Sequence, residues 1–137
     1  MASRHEFDSL SIPARPRITL NRATVDDVEA TAHLLQTHLL HSTAPNHAIA
    51  RVICSNRDSV LVFTRNERIV GFCAMLMLSP LGLEALLLGD FDPLDPKTNW
   101  LAVTGEQPTA IYGWAIVAPK GASEGILHVS EFLRKLL

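Results

Sequence analysis

Charge and cysteine are both scarce in this chain. Charged side chains make up 19% of its 137 residues, below the usual ~25%. Twelve Lys and Arg against fourteen Asp and Glu leave a net charge of −2. Without a basic excess nothing neutralises a phosphate backbone, and no ladder of aromatic residues accompanies the basic ones, so nucleic-acid binding is not expected. The two cysteines, Cys54 and Cys73, lie in apolar stretches and form no CxxC pair. That excludes a disulfide framework and a cysteine zinc site, and reads as reduced core thiols of a cytoplasmic protein.

Also lacking is the apolar run of an export signal. Residues 1–17 carry Arg4, His5, Glu6, Asp8, Arg15 and Arg17, and residues 1–16 read as a flexible lead-in closed by Pro13 and Pro16. No clean membrane-length run occurs either. Ile69 to Gly89 comes nearest, with Glu84 its single charge, but Ser79-Pro80 and Gly82 break it in the middle. Proline costs about 3 kcal/mol inside an ordinary helix, so a buried strand followed by an apolar lobe is expected and a membrane partner is not. Gly-x-Ser-x-Gly and any Ser-His-Asp or Cys-His signature are missing too. So are internal repeats and low-complexity tracts.

What the chain has is apolar content, 47% of its residues. At this length that suffices for one domain burying about two thirds of its unfolded surface. Arg17 to Arg22 alternates polar and apolar residues, the period of a half-buried strand. Thr24 then caps a helix, with Asp26 and Asp27 where the dipole favours negative charge. Val28, Ala32, Leu35 and Leu39 form one apolar stripe. Ser42 to Asn46 breaks that helix, and Ala48, Ile49, Val52 and Ile53 mark a second that stops near Asn56. Ser59 to Thr64 is apolar on both faces and reads as a central strand. Asn66-Glu67-Arg68 turns it into a second strand, Ile69 to Leu78. Residues 80–108 form an insertion with one short helix and an ordered acidic loop. Tyr112 to Val117 resumes the sheet, and Ile126, Val129, Leu133 and Leu136 mark a closing amphipathic helix. The class is α/β or α+β, a mixed but largely antiparallel sheet flanked by helices, in a single domain over 17–137.

In this order the pieces resemble the first half of a GNAT-superfamily N-acetyltransferase. Ile18 to Asp27 resembles the family's first strand and the start of its first helix. Asn66-Glu67-Arg68-Ile69-Val70-Gly71-Phe72 resembles its hairpin, and Tyr112 to Pro119 its fourth strand. The family's last strands and last helix have no counterpart, since the chain ends at the third expected long helix. The resemblance implies acetyl-CoA as cofactor, its pantetheine paired with backbone groups of Trp114, Ala115, Ile116 and Val117. The pyrophosphate is then expected at Lys120, Gly121, Ala122 and Ser123 of a helix start that runs on through Glu124 and Gly125, where unpaired amides and the dipole attract anions. The family's loop, Gln or Arg, two residues, Gly, one residue, Gly or Ala, fits neither the register of Gly121 nor that of Gly125. Acyl transfer to a small-molecule or peptide amine is the implied activity, and a non-catalytic binding or interaction module is the alternative. For the catalytic role Tyr112, on the fourth strand, is assigned; Glu84, Asp90 and Asp92 in the insertion are the other acid–base candidates.

Two further clusters are weighed. His33, His38, His41 and His47 offer at most a pair of imidazoles at helical spacing, so no metal site is assigned. Asp90, Asp92 and Asp95 alternate with prolines and read as turn formers. Were the insertion to line an acceptor site, they would favour a cationic amine. The fourth strand, left without a further neighbour, is expected to be an exposed edge carrying Trp114, Ile116 and Val117. A homodimer through that edge or the last helix is the expected assembly.

Overall fold

Four β strands lie in the sheet in the order in which the chain makes them: β1 (Thr19–Arg22), β2 (Val60–Arg65), β3 (Arg68–Leu78) and β4 (Ala110–Val117). The computed structural model describes residues 17–39 and 43–136. The expected lead-in over 1–16 and His41 lie outside the described residues. Every pairing is antiparallel, which corrects the expectation of a mixed sheet and makes the architecture α+β. Two helices rather than one, α1 (Val28–His38) and α2 (Asn46–Ser55), separate β1 from β2. The chain therefore returns to the end it left, so that Arg22 faces Leu61. A parallel pair would need a crossover to the opposite end.

The elements start and stop for local reasons. Ahead of α1 a single 3-10 turn, Val25–Asp27, is held by Asp27, whose Oδ2 accepts the Thr24 amide at 2.8 Å. The apolar run after β3 becomes α3 (Pro80–Leu88) because Ser79 caps it, accepting the Gly82 amide at 3.1 Å, and Pro80 fits the first helical position. Gly89, at φ 82°, ends it in the left-handed region. The membrane-length stretch is thus a strand followed by a nine-residue helix. Among the described residues no helix is long and apolar enough to cross a membrane.

The sheet is covered on both faces, and β3 is buried from Gly71 to Leu78. Val62, Phe72, Leu76 and Leu78 face Val28, Ala32 and Leu35 of α1 and Ile49 and Val52 of α2. Leu61, Phe63, Met75 and Met77 face the other way, toward Val129 of the last helix, α4 (Glu124–Leu136). That helix sits close because Gly125 carries no side chain: a Cβ there would lie 2.5 Å from the Phe63 ring. The insertion packs across the far end of β3. Leu101 bridges Leu78, the Ala102 amide donates to Met77 O at 2.8 Å, and a 3-10 turn, Thr98–Trp100, rests on α3 at Gly82.

Candidate functional site: an apolar cleft beside β4

β4 pairs with β3 alone and so forms one edge of the sheet, as its place in the sequence suggested. Its register slips by one residue. Val117 faces Phe72, Ile116 faces Cys73 and Ala115 faces Ala74, but Met75 faces Gly113. Trp114 is the extra residue of a β-bulge, a feature that re-aims side chains and interrupts pairing. Tyr112 and Ala110 on one side of the bulge, and Trp114 and Ala115 at it, consequently all pack toward the α1 and α2 face.

There they wall a cleft of about 210 Å³. Val60, Phe72 and Ala74 of the sheet line it. Thr31 and Leu35 of α1 and Leu39 just after it close one side, with Thr43 and Ala44 ahead of α2 and Ile49 within it. Pro93 and Leu94 of the insertion complete the wall. The insertion is fastened over β4 by its aromatic residues. Phe91 stacks on Trp100 with centroids 4.9 Å apart and lies 5.3 Å from the ring of Tyr112. The Trp114 indole N–H donates to Pro93 O at 2.6 Å.

None of the described residues that line the cleft carries a charge. The acidic loop contributes its proline and leucine, and its carboxylates are engaged elsewhere. Asp92 Oδ1 accepts the Leu94 amide at 2.9 Å, an Asx turn. Asp95 pairs with Arg51, Nη1 to Oδ1 2.5 Å, and stands 3.9 Å from His47 Nε2. The cationic-amine preference drawn from this loop therefore has no carboxylate behind it in the cleft. Glu84 and Asp90 are exposed and line no part of it. Among the described residues no three His, Cys, Asp or Glu side chains converge as a metal site requires.

The residues assigned to the cofactor divide between two places. Tyr112, Trp114 and Ala115 reach the cleft. Val117 is buried in the α1 and α2 core, and Ile116 is 55% exposed on the other face. Lys120, Gly121, Ala122 and Ser123 precede α4 rather than open it. The helix begins at Glu124, within the expected start, and Gly121 at φ 95° turns the chain ahead of it. The Ala122 amide donates to Pro119 O, Gly125 to Ala122 O and Ile126 to Ser123 O, so these three already have partners. Arg65 of β2 donates to Gly121 O, Lys120 is exposed, and Ala122 is buried against the α4 face. Glu124 holds His128 at 3.2 Å. The Tyr112 hydroxyl bonds to no other described residue, and among the described residues no carboxylate or imidazole shares the cleft with it.

Compared with known proteins, the chain matches no family model, no curated protein and no solved structure.

Proposed function

We propose that this protein binds an acyl-coenzyme A along β4, as the GNAT-like order of its elements suggests, with the acyl end in the cleft at Tyr112, Trp114 and Ala115. The observation that carries the reading is the coincidence of a sheet edge, a bulge and an apolar cleft on one strand. An edge strand presents unpaired amides and carbonyls to an extended ligand. Coenzyme A, when bound, supplies an activated acyl thioester. Lys120 adds a positive charge at the far end of β4, and Gly121 lets the backbone turn there without a Cβ. Tyr112 carries the one hydroxyl of the sheet that lines the cleft, and it is the residue available to hold a proton there.

A second reading, binding without catalysis, is favoured by a specific feature. Among the described residues nothing else that lines the cleft can take a proton from an attacking amine, since acid–base catalysis needs a group within hydrogen-bond reach. Transfer to an amine is the activity that this feature weighs against. The free thiols of Cys54 and Cys73 suit a reducing cytoplasm, although Cys73 alone lies in the core and Cys54, expected there, is exposed on α2. Self-association through the outer edge of β4, where Ile116 is exposed, belongs to the same proposal and would compete with a ligand for that edge.

Calorimetric titration with acetyl-CoA and coenzyme A tests binding. At one hundred times Kd a ligand stabilises the fold by about 2.7 kcal/mol. Lys120→Glu should weaken it, more at low salt than at high. No heat and no rise in Tm at millimolar cofactor would reject the reading. Light scattering at micromolar concentration separates monomer from dimer, and Ile116→Lys should abolish a dimer built on β4.

A further inference from the structure

The cleft beside β4 is much larger than an acetyl group, and the described residues that line it hold no charge. An engineered apolar cavity of about 150 Å³ holds benzene, so a space of about 210 Å³ accepts about eight carbon atoms on the same scale. Two of its polar groups already have partners. Thr31 Oγ1 donates to Asp27 O at 2.9 Å, and Trp114 Nε1 to Pro93 O at 2.6 Å. The hydroxyls of Thr43 and Tyr112 remain, both neutral and both suited to a carbonyl oxygen. An ammonium or carboxylate entering here would lose its water with no opposite charge in the lining. Two acetyl carbons would leave most of the space to water, which needs two to four polar partners to be stable.

We infer that the cleft selects an uncharged apolar chain of about eight carbons joined through a carbonyl, the medium-chain acyl group of a thioester rather than acetyl. The choice of coenzyme A as carrier rests on the acyl-CoA reading above. The choice of chain rests on the cleft alone. Leu35, Ile49, Phe72 and Ala74 supply the apolar wall, and each methylene buried against such a wall contributes about 0.8 kcal/mol, close to fourfold in affinity.

Two titrations on the unmodified protein test this separately. The first uses straight-chain alcohols from butan-1-ol to dodecan-1-ol, followed by tryptophan emission, since Trp114 stands in the wall. Affinity should rise three- to fourfold per carbon and level off near eight. The second compares octanoyl-CoA with acetyl-CoA by calorimetry, and octanoyl-CoA should bind at least a hundredfold more tightly. Ala115→Leu, which adds three carbons to the wall, should move the plateau to about five carbons. The alcohol series carries the test should that variant not fold. Alcohols that bind with the plateau while neither CoA ester binds would uphold the cleft's selectivity and reject coenzyme A as carrier. Equal affinity for the two esters would overturn the inference and leave acyl-CoA binding intact. Absence of alcohol binding, a rise that continues to dodecan-1-ol, or octylammonium binding as well as octan-1-ol would each overturn it.

Discussion

Replacing Gly82 by Ala sets two effects against each other. In an exposed helix the change stabilises by about 1 kcal/mol. At this position the new Cβ would lie 2.1 Å from the Trp100 carbonyl oxygen and 3.0 Å from its carbonyl carbon. Both are backbone atoms, so α3 and the Thr98–Trp100 turn must part by roughly 1 Å in a closely packed region. Parting them weakens the bond from the Ser79 amide to Trp100 O, 2.9 Å, and that from Ser79 Oγ to Asn99 O, 2.7 Å. Each contributes about 1 kcal/mol net. Trp100, only 7% exposed, also loses packing, and overfilling of this kind costs about 1–3 kcal/mol. The balance is a loss of about 2 kcal/mol, or a Tm lower by about 5–10 °C at this chain length. Circular-dichroism melts measure it, with Glu84→Ala on the same helix as an exposed control expected within about 0.5 kcal/mol of the parent. Because Trp100 stacks on Phe91, and Phe91 reaches Tyr112, the cleft wall should loosen and tryptophan emission should shift to the red. A Tm at or above that of the parent would mean that α3 does not rest on this turn, and the reasoning would fail with it.

Three further perturbations have defined outcomes. Gly125→Ala places a Cβ 2.5 Å from the Phe63 ring and should cost about 1–3 kcal/mol, much of it recovered by adding Phe63→Leu; a purely additive double variant in urea unfolding would reject that contact. Asn66 and Glu67 both have positive φ, 52° and 63°, so Glu67→Gly should raise stability by about 0.5–1 kcal/mol through relief of the left-handed strain, and a lower urea midpoint would refute it. Burial pushes the Cys73 thiol up from 9.0 to about 11. The native state then keeps a proton that the unfolded chain releases, so this group's contribution is intact below pH 9. It falls by about 2–3 kcal/mol as pH rises to 11. Urea unfolding at pH 8 and pH 11 should show that loss in the parent and not in Cys73→Ala, while a thiol reagent at pH 8 labels the exposed Cys54 alone.

The local grammar of the chain was readable where one physical signal dominated. The stripe Val28, Ala32, Leu35 states the helix period, and the doubly apolar run from Ser59 places β2 inside the sheet. Ser79-Pro80 and Gly89 bracket α3 by capping chemistry. Strand direction was not readable, because it depends on which end the chain returns to after α1 and α2, a matter of tertiary packing. Nor was the bulge at Trp114. Its alternation looks regular in sequence, and only the pairing with β3 shows that one residue is extra. The start of α4 was legible, since Lys120 to Gly125 has helix-start composition and the helix proper opens at Glu124 once Gly121 has taken a left-handed turn. In the cleft, Tyr112, Trp114 and Ala115 were anticipated through the strand. Thr43, Pro93 and Leu94 carried no signal of their own, the last two because they come from a loop fixed by Phe91 and by the Trp114 indole.

The sequential order of the strands also bears on how fast the sheet assembles. Joining β2 to β3 closes only the turn at Asn66 and Glu67, whereas Arg22 must find Leu61, and Leu78 must find Ala110, across more than thirty residues. Loop-closure entropy grows by about 0.6 kcal/mol for each doubling of length, which sets the longer closures about 2 kcal/mol behind the hairpin. The hairpin is therefore the natural nucleus, and substitutions at Val62 or Phe72 should slow refolding while those at Leu20 or Ile111 should mainly hasten unfolding. β4 can pair only after the insertion has folded back, so a nascent chain exposes the β3 flank for as long as that takes.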